Sequence, residues 1–521
     1  NKSNCYMWKI NFKLFFKLLI FFPLIFYFGK RSYLAYDEGF YALQARWILE
    51  KGNWTIPLWW GDFNLDRTIG IQFLIAKSQE IFGKNLFAAY LPTTISSIVM
   101  LIITYKLHEE LIGKKFAIAS PLILSTTYLW FDYSHLATQD LIYSCLVTIG
   151  IFSIVKTNSK KELVYISLFG LWIGLAFMMK TFLVAIPITS LLPYLIKKKY
   201  IFTSKYFWFG LIIGFIPFIL WTTSINTFLD KNIAFHLLDK FNTLSKENTF
   251  TNPFYYYLWN IPVTFLPWSI FSIIGLVHGL KSKNSQGFIL FYFPLILIIL
   301  ISSFSTKTPY YPLQISSIIS LNSFIGIKYL IEEKRFKFIF IFISSRIIPI
   351  FLVSVIVIYF FLFKASMNFN IKENTFLISG LVLFALAWNF IKHTQSTSTL
   401  ISILIIGPYL MTSCFLQSGL FTDRSRELRE TMENISSLKS INSRKIKVDK
   451  SSLINNVSTS KIIRIALLTP NLGEGIENIK SLKTSELAWS ILPKEDQKKD
   501  ASFKIIYENE VIFPWKLIKK I

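Results

Sequence analysis

Apolar residues in this chain are gathered into runs long enough to cross a bilayer, and that clustering limits the fold more than any other feature. A helix needs about 20 apolar residues to span roughly 30 Å of hydrocarbon. Candidate runs cover residues 10–29, 86–107, 116–133, 141–155, 163–179, 182–196, 206–224, 257–280, 287–304, 309–329, 338–363, 376–391 and 399–416. Inside lipid no water satisfies backbone N–H and C=O groups, so each run is predicted to be a helix. The expected fold class is an all-α polytopic membrane protein of about thirteen transmembrane helices, carrying a small C-terminal extramembrane α/β domain.

Composition agrees. Of 521 residues, 53% are hydrophobic and only 16% charged, against about 25% charged in soluble domains. The formal net charge of +25 would point to nucleic acid in a soluble protein. Here the Lys and Arg residues sit in short clusters between apolar runs, as the positive-inside bias requires, and no nucleic-acid partner is expected. The three cysteines, Cys5, Cys145 and Cys414, are far apart and offer neither a disulfide framework nor zinc spacing. The first run follows Lys2 and Lys9, is interrupted by Lys13 and Lys17, and has no small-x-small site after it. It is read as a retained first span rather than a signal peptide.

Placing the N-terminus in the cytoplasm puts the lysine-rich connections inside, among them Lys114 and Lys115, Lys160 and Lys161, Lys197 to Lys199, and Lys334 to Lys337. The C-terminal segment then lies outside, in the periplasm or extracellular space. The expected division is a transmembrane domain over 1–420 and a soluble outer domain over 421–521. Three outer segments result. The first, 30–85, contains an amphipathic stretch at 38–49 that is predicted to lie as a helix on the membrane surface. The second is 225–256. The third opens with a helical stretch at 423–434, continues through polar linker at 436–460, and shows strand-like runs at 461–468 and 503–513.

Charged residues near these outer segments are the candidates for chemistry. Asp37 and Glu38 are flanked by aromatics, and apolar surroundings raise a carboxylate's pKa towards that of a usable base; the alternative is a solvated loop pair. Asp140 opens the fourth span, where a helix N-terminus tolerates an acid in any case. Asp66 and Arg67 are adjacent, which more often marks a surface pair. Lys180 lies between two apolar runs on the outer side, where a cation is costly unless paired or snorkelling to the interface. Lys307, Tyr310 and Tyr311 set a cation beside phenols, a combination suited to a phosphate at the membrane surface and also to an interfacial anchor. His236 is an isolated loop histidine. No HExxH, P-loop or dinucleotide fingerprint occurs, which argues against an ATP-driven pump. Acids to deprotonate a hydroxyl and cations to stabilise a departing phosphate are what sugar transfer from a lipid phosphate needs.

The string from Asp37 to Pro57 resembles the first outer loop of the bacterial aminoarabinose transferases and their protein-mannosyltransferase relatives, which have the GT-C fold. The matching positions are Asp37, Glu38, Tyr41, Ala45, Arg46, Gly52, Asn53, Trp54 and Pro57. Further matches follow in order: Asp140; Gly174, Leu175, Ala176 and Lys180; Pro253 to Tyr257 with Leu266 to Trp268; and Lys307 to Pro312. The resemblance covers roughly the first 320 residues, and beyond them only the architecture matches. Two departures stand out. A Glu-Lys-Pro-Pro string is replaced by Asp66-Arg67-Thr68-Ile69, and a Glu-His element by Phe235-His236.

The resemblance implies a GT-C glycosyltransferase that takes a sugar from a polyprenyl-phosphate donor, with inversion, and passes it to an envelope lipid, glycan or protein. It implies Asp37 as base, assisted by Glu38, with Asp140 orienting the acceptor. Arg67, Lys180, Lys307, Tyr310 and Tyr311 would hold the donor phosphate. Tyr41, Arg46, Asp66 and His236 are further candidate donor or acceptor contacts. No cofactor is certain from the resemblance; a divalent metal ion near the acids, as proposed in some relatives, stays open, with no metal ligands assigned. A bacterial inner membrane is the implied location. Two other readings stand beside this one: a lipid or sugar transporter or flippase, which would bring inverted repeats and mid-membrane charges, and a non-catalytic relative that has kept only the fold.

Overall fold

The structure, a computed structural model, describes residues 19–26, 30–65, 67–159, 161–229, 232–244, 251–280, 287–363, 371–394, 396–437, 441, 444–453, 456–491 and 502–521. The chain divides into two compact units. The first holds residues 1–29, 93–135 and 139–421; the second holds 30–92, 136–138 and 422–521.

The first unit is helical. Among the described residues of the whole chain, seven helices are long and apolar enough to cross a membrane, or eight if the pair Tyr256–Thr264 and Ser269–Leu280, bent by 116°, is one span. Two shorter apolar helices, Gln139–Val155 and Phe288–Ser303, accompany them. Most of the run expected at 10–29 lies outside the described residues. The single span expected over 116–133 is instead two short helices, Ala119–Ser125 and Tyr128–Tyr133. The cause is local: the Thr126 and Thr127 hydroxyls both donate to the Ile123 carbonyl and Thr127 turns extended, which ends the first helix.

Helix packing here depends on small residues, since lipid supplies no hydrophobic drive between helices. Glu162–Lys180 lies against Lys205–Leu229 through Gly170 and Gly174 on one side and Gly210 and Gly214 on the other. A Cβ on Gly210 would fall 1.9 Å from the Ser167 carbonyl oxygen, and one on Gly174 2.3 Å from the Gly214 carbonyl carbon. Residues Glu162–Lys197 are apolar on average despite Lys180, but a straight helix of that length would be about 54 Å long, far more than the hydrocarbon thickness. Thr181, at φ 49°, breaks it and leaves Lys180 at a helix end.

The second unit is built on a sheet. A short hairpin joins β1 (Leu58–Trp59) to β2 (Asp62–Phe63). Five further strands, β3 (Ile446–Asp449), β4 (Leu472–Ile476), β5 (Leu487–Ser490), β6 (Phe503–Tyr507) and β7 (Lys516–Lys520), lie in the order β4-β3-β5-β7-β6. β3 runs parallel to β4 and β5, while β7 is antiparallel to β5 and β6. The Trp60 carbonyl accepts the Gly475 amide at 3.1 Å and closes part of the β4 edge.

One face of the sheet carries the core: Val448, Trp489 and Leu517 pack with Ile462, Ile465, Met432, Leu43 and Trp47. Two expectations change here. Residues 461–468 are not a strand but the end of the helix Asn456–Leu468. Ile462 and Ile465, three apart, bury one helical face against the sheet, and tertiary packing outweighs the β propensity of the isoleucines. The stretch expected to lie on the membrane surface is the helix Glu38–Lys51, whose Leu43 and Trp47 face this protein core rather than lipid. Part of the expected polar linker at 436–460 is β3, an inner strand between β4 and β5. The helix expected at 423–434 is Arg426–Ser436.

Candidate active site

The candidate residues fall into two groups, one in each unit, and each is described within its own.

In the second unit Asp37 immediately precedes the helix Glu38–Lys51 at φ 53°. A non-glycine residue in this region costs about 1–3 kcal/mol and persists only where its surroundings enforce it. Arg67 Nη1 is 3.5 Å from Asp37 Oδ1, and Arg67 also donates to the Tyr41 hydroxyl. The guanidinium lies 5.9 Å and 5.2 Å from the ring centres of Phe40 and Tyr41. The Asp37 side chain is 45% exposed and that of Arg67 34%, so their attraction is screened and weak.

Glu38 is the opposite case. It is 1% exposed; its Oε2 accepts the Leu34 amide at 2.7 Å and its Oε1 the Ala137 amide at 2.8 Å. Burial pushes its carboxyl above the ordinary range, against the opposing pull of those amides, the Tyr90 hydroxyl and Arg424. Glu38 therefore fastens backbone. Arg46 is likewise buried and spends its donors on Glu50 and on the carbonyls of Thr469 and Pro470. Tyr41 is buried beneath Arg67. Asp66 lies outside the described residues.

In the first unit Asp140 and Lys180 meet. Asp140 sits in the first turn of Gln139–Val155, and Lys180 ends Glu162–Lys180. Lys180 Nζ donates to Asp140 Oδ1 at 2.5 Å, with side chains 7% and 5% exposed. Three tyrosine rings surround the ammonium, with centres at 5.4 Å for Tyr143, 5.0 Å for Tyr310 and 5.5 Å for Tyr311. The pair borders a small cavity, about 20 Å³, also lined by Ser144 and Gln314. Sequence reasoning did not single out Tyr143, although it stands three residues after Asp140 and hence on the same helical face.

Lys307 is placed nearby in sequence to Tyr310 and Tyr311 but is engaged elsewhere. It is buried, and its ammonium donates to the carbonyls of Asn252 at 2.9 Å and Phe304 at 2.5 Å, while Asn252 Nδ2 donates back to the Lys307 carbonyl at 3.0 Å. It staples two loops together. His236 lies on the helix Ile233–Leu244 with its side chain exposed. Among the described residues no three His, Cys, Asp or Glu side chains stand together as a metal site.

Comparison with known proteins bears on the fold. The family described as dolichyl-phosphate-mannose-protein mannosyltransferase matches residues 66–222. An undecaprenyl phosphate-alpha-4-amino-4-deoxy-L-arabinose arabinosyl transferase of Edwardsiella ictaluri is 26% identical over 265 residues, covering 48% of this chain and 47% of that protein. The crystal structure of ArnT from Cupriavidus metallidurans bound to undecaprenyl phosphate superposes with a TM-score of 0.78 at 12% identity, over 99% of this chain and 98% of that one. Over these stretches the chain is similar in sequence to the aminoarabinose transferases and protein mannosyltransferases, and its fold is that of the Cupriavidus protein. An uncharacterized protein of Aquifex aeolicus is 26% identical over 315 residues, or 56% of this chain and 60% of its own length. The chain thus spans about half of the curated transferases it matches and somewhat more of the Aquifex protein. The apo form of the Cupriavidus protein superposes with a TM-score of 0.74, so the GT-C fold extends past the segments matched by sequence.

Proposed function

We propose that this protein transfers a hexosyl or pentosyl unit from a polyprenyl-phosphate donor to a lipid, glycan or protein acceptor at the outer face of the inner membrane. The observation that carries the reading is the buried Asp140–Lys180 pair inside its tyrosine box beside a cavity, in a chain of GT-C fold. In the reaction an acceptor hydroxyl or amine attacks the anomeric carbon, the bond from that carbon to the phosphate oxygen breaks with inversion, and the electron pair leaves with the polyprenyl phosphate. Asp37 takes the acceptor's proton. Arg67, partly exposed beside Asp37, is the cation best placed to exchange its partner for the donor phosphate. Asp140 orients the acceptor, with Lys180 holding its carboxyl group in place, and Tyr310 and Tyr311 add hydroxyl donors. Glu38 and Lys307 hold backbone for this machinery.

An apolar groove in the helical unit, of about 890 Å³ and lined by Tyr128, Phe131, Leu266, Ile270, Phe340 and Phe384 among others, suits the lipid tail. The full reading includes about thirteen spans, a cytoplasmic N-terminus and an outer C-terminal α/β domain, as the charge bias of the connections supports. The test is a transfer assay with the purified protein in nanodiscs, a panel of radiolabelled polyprenyl-phosphate sugars and membrane extract as acceptor. Label is expected to move with the wild type and not with Asp37→Asn, at unchanged stability. Full activity in Asp37→Asn removes Asp37 from the mechanism, and no transfer from any donor removes the transferase reading.

A further inference from the structure

Away from Asp37, the second unit carries a hollow of about 440 Å³ whose lining includes Ile48, Leu49, Trp54, Gln79, Glu80 and Lys84. That volume lies in the range of pockets that take small ligands. The last turns of two helices, Glu38–Lys51 and Gly70–Phe82, supply its walls. A glycine leads the chain out of each helix beside the hollow, Gly52 at φ 67° and Gly83 at φ 89°, in a backbone region that other residues rarely adopt. The hollow stands at the opposite end of Glu38–Lys51 from Asp37, about 21 Å along the helix axis.

The lining joins an apolar wall to polar groups of both kinds. Trp54 stands with Ile48 and Leu49. Its ring is held edge to face against Phe73, centres 5.5 Å apart, and the Lys77 ammonium lies 5.4 Å from its centre. Gln79 is 7% exposed; its Nε2 donates to the Asn85 carbonyl at 3.4 Å, and its Oε1 has no hydrogen-bond partner. A buried oxygen of this kind is costly until a donor reaches it. Lys84 gives one N–H to Glu50 at 2.8 Å, and an ammonium has three. Glu80 accepts from Lys77. The lining thus holds one acid and one base, each already paired with the opposite sign, and offers a small ion of either charge no net attraction. A sugar ring matches it on both counts. Its C–H face lies on the aromatic wall, while its hydroxyls donate to Gln79 Oε1 and accept from Lys84.

We propose that this hollow binds one sugar unit of a glycan. Its role as an acceptor subsite rests on the transferase reading: a glycan several units long, seated here by one of them, reaches Asp37 with another, which makes the acceptor a glycan. Binding itself needs no donor and no transfer, so the two readings fail separately. Full-length protein in nanodiscs is titrated calorimetrically, without donor, with hexasaccharides of glucose, mannose, galactose and N-acetylglucosamine. Saturable binding of at least one is expected. Trp54→Ala should weaken it about tenfold, and Trp54→Phe should keep most of the affinity. If Trp54→Ala unfolds, Leu49→Trp, which adds bulk to the wall, carries the same expected loss. Wild-type protein that binds none of the four, or folded Trp54→Ala or Leu49→Trp protein that binds as wild type does, overturns the proposal. Transfer without hexasaccharide binding removes this site and keeps the transferase; binding without transfer keeps the site and removes its acceptor role.

Discussion

Asp37 and Glu38 are neighbours in sequence with opposite fates, and the difference lies in what each side chain touches. Asp37 is half exposed beside Arg67, whereas both oxygens of Glu38 are committed to amides. Glu38→Gln should cost about 1–3 kcal/mol, because one oxygen becomes an NH2 group facing an N–H that must then go unsatisfied. The same change alters the pH response. The carboxyl of Glu38 lies above its ordinary value of 4.5 in the folded protein. Its contribution to stability is thus full below that ordinary value and is lost as pH rises through the raised one. Thermal unfolding measured across this window should show a fall in the wild type that Glu38→Gln lacks; identical slopes would mean that the buried carboxyl does not titrate there. Asp140 and Lys180 make a second residue-level case. Removing one partner alone, by Asp140→Leu or Lys180→Met, strands a buried charge at about 3–5 kcal/mol. The double variant should recover most of that stability and none of the activity. A double variant as unstable as the singles would show that the pair is not what supports the helices. The string around Asp37 was legible in the sequence because its residues are contiguous. The Asp140–Lys180 pair was not, since its members are separated by 40 residues and only the approach of two helices joins them.

At the scale of elements, the glycine-lined contact between Glu162–Lys180 and Lys205–Leu229 is the firmest in the helical unit. Gly210→Leu should lower stability by about 1–3 kcal/mol or more by overpacking, since its Cβ would fall on the Ser167 carbonyl. Gly113, with nothing near a Cβ but a φ of 130°, isolates backbone strain from crowding, so Gly113→Ala serves as the comparison in detergent unfolding. Equal losses would argue against a crowded interface. The Gly-x-x-x-Gly spacing at Gly170–Gly174 and Gly210–Gly214 was readable in the sequence, and it is the signal from which this helix pairing was predictable. Apolar runs located most of the helices. They did not reveal the break at Thr126–Thr127, because hydroxyls bonding back to the preceding turn leave hydropathy untouched. Nor did a run rich in isoleucine distinguish the helix Asn456–Leu468 from a strand. Only the sheet beneath it decides which face is buried.

For the whole molecule, the informative feature is that the second unit draws on three separate stretches, 30–92, 136–138 and 422–521. Leu43 and Trp47 share a core with Ile462 and Trp489, and Arg46 bonds the carbonyls of Thr469 and Pro470. A chain truncated after Phe421 should therefore lose protection of residues 38–51 against protease, while the helices zipped by Gly170 and Gly210 remain resistant. Continued protection of 38–51 would show that the first outer segment is stable by itself. The discontinuity also sets an order in time. Synthesis proceeds from the N-terminus, so Asp37 emerges early but waits, through the insertion of every later helix, for the strands that complete its unit. The turn at Asp37 belongs to a unit that is complete only when residues 422–521 have arrived, and a ribosome-bound chain caught before that point holds the helices of residues 86–418 and no finished acid.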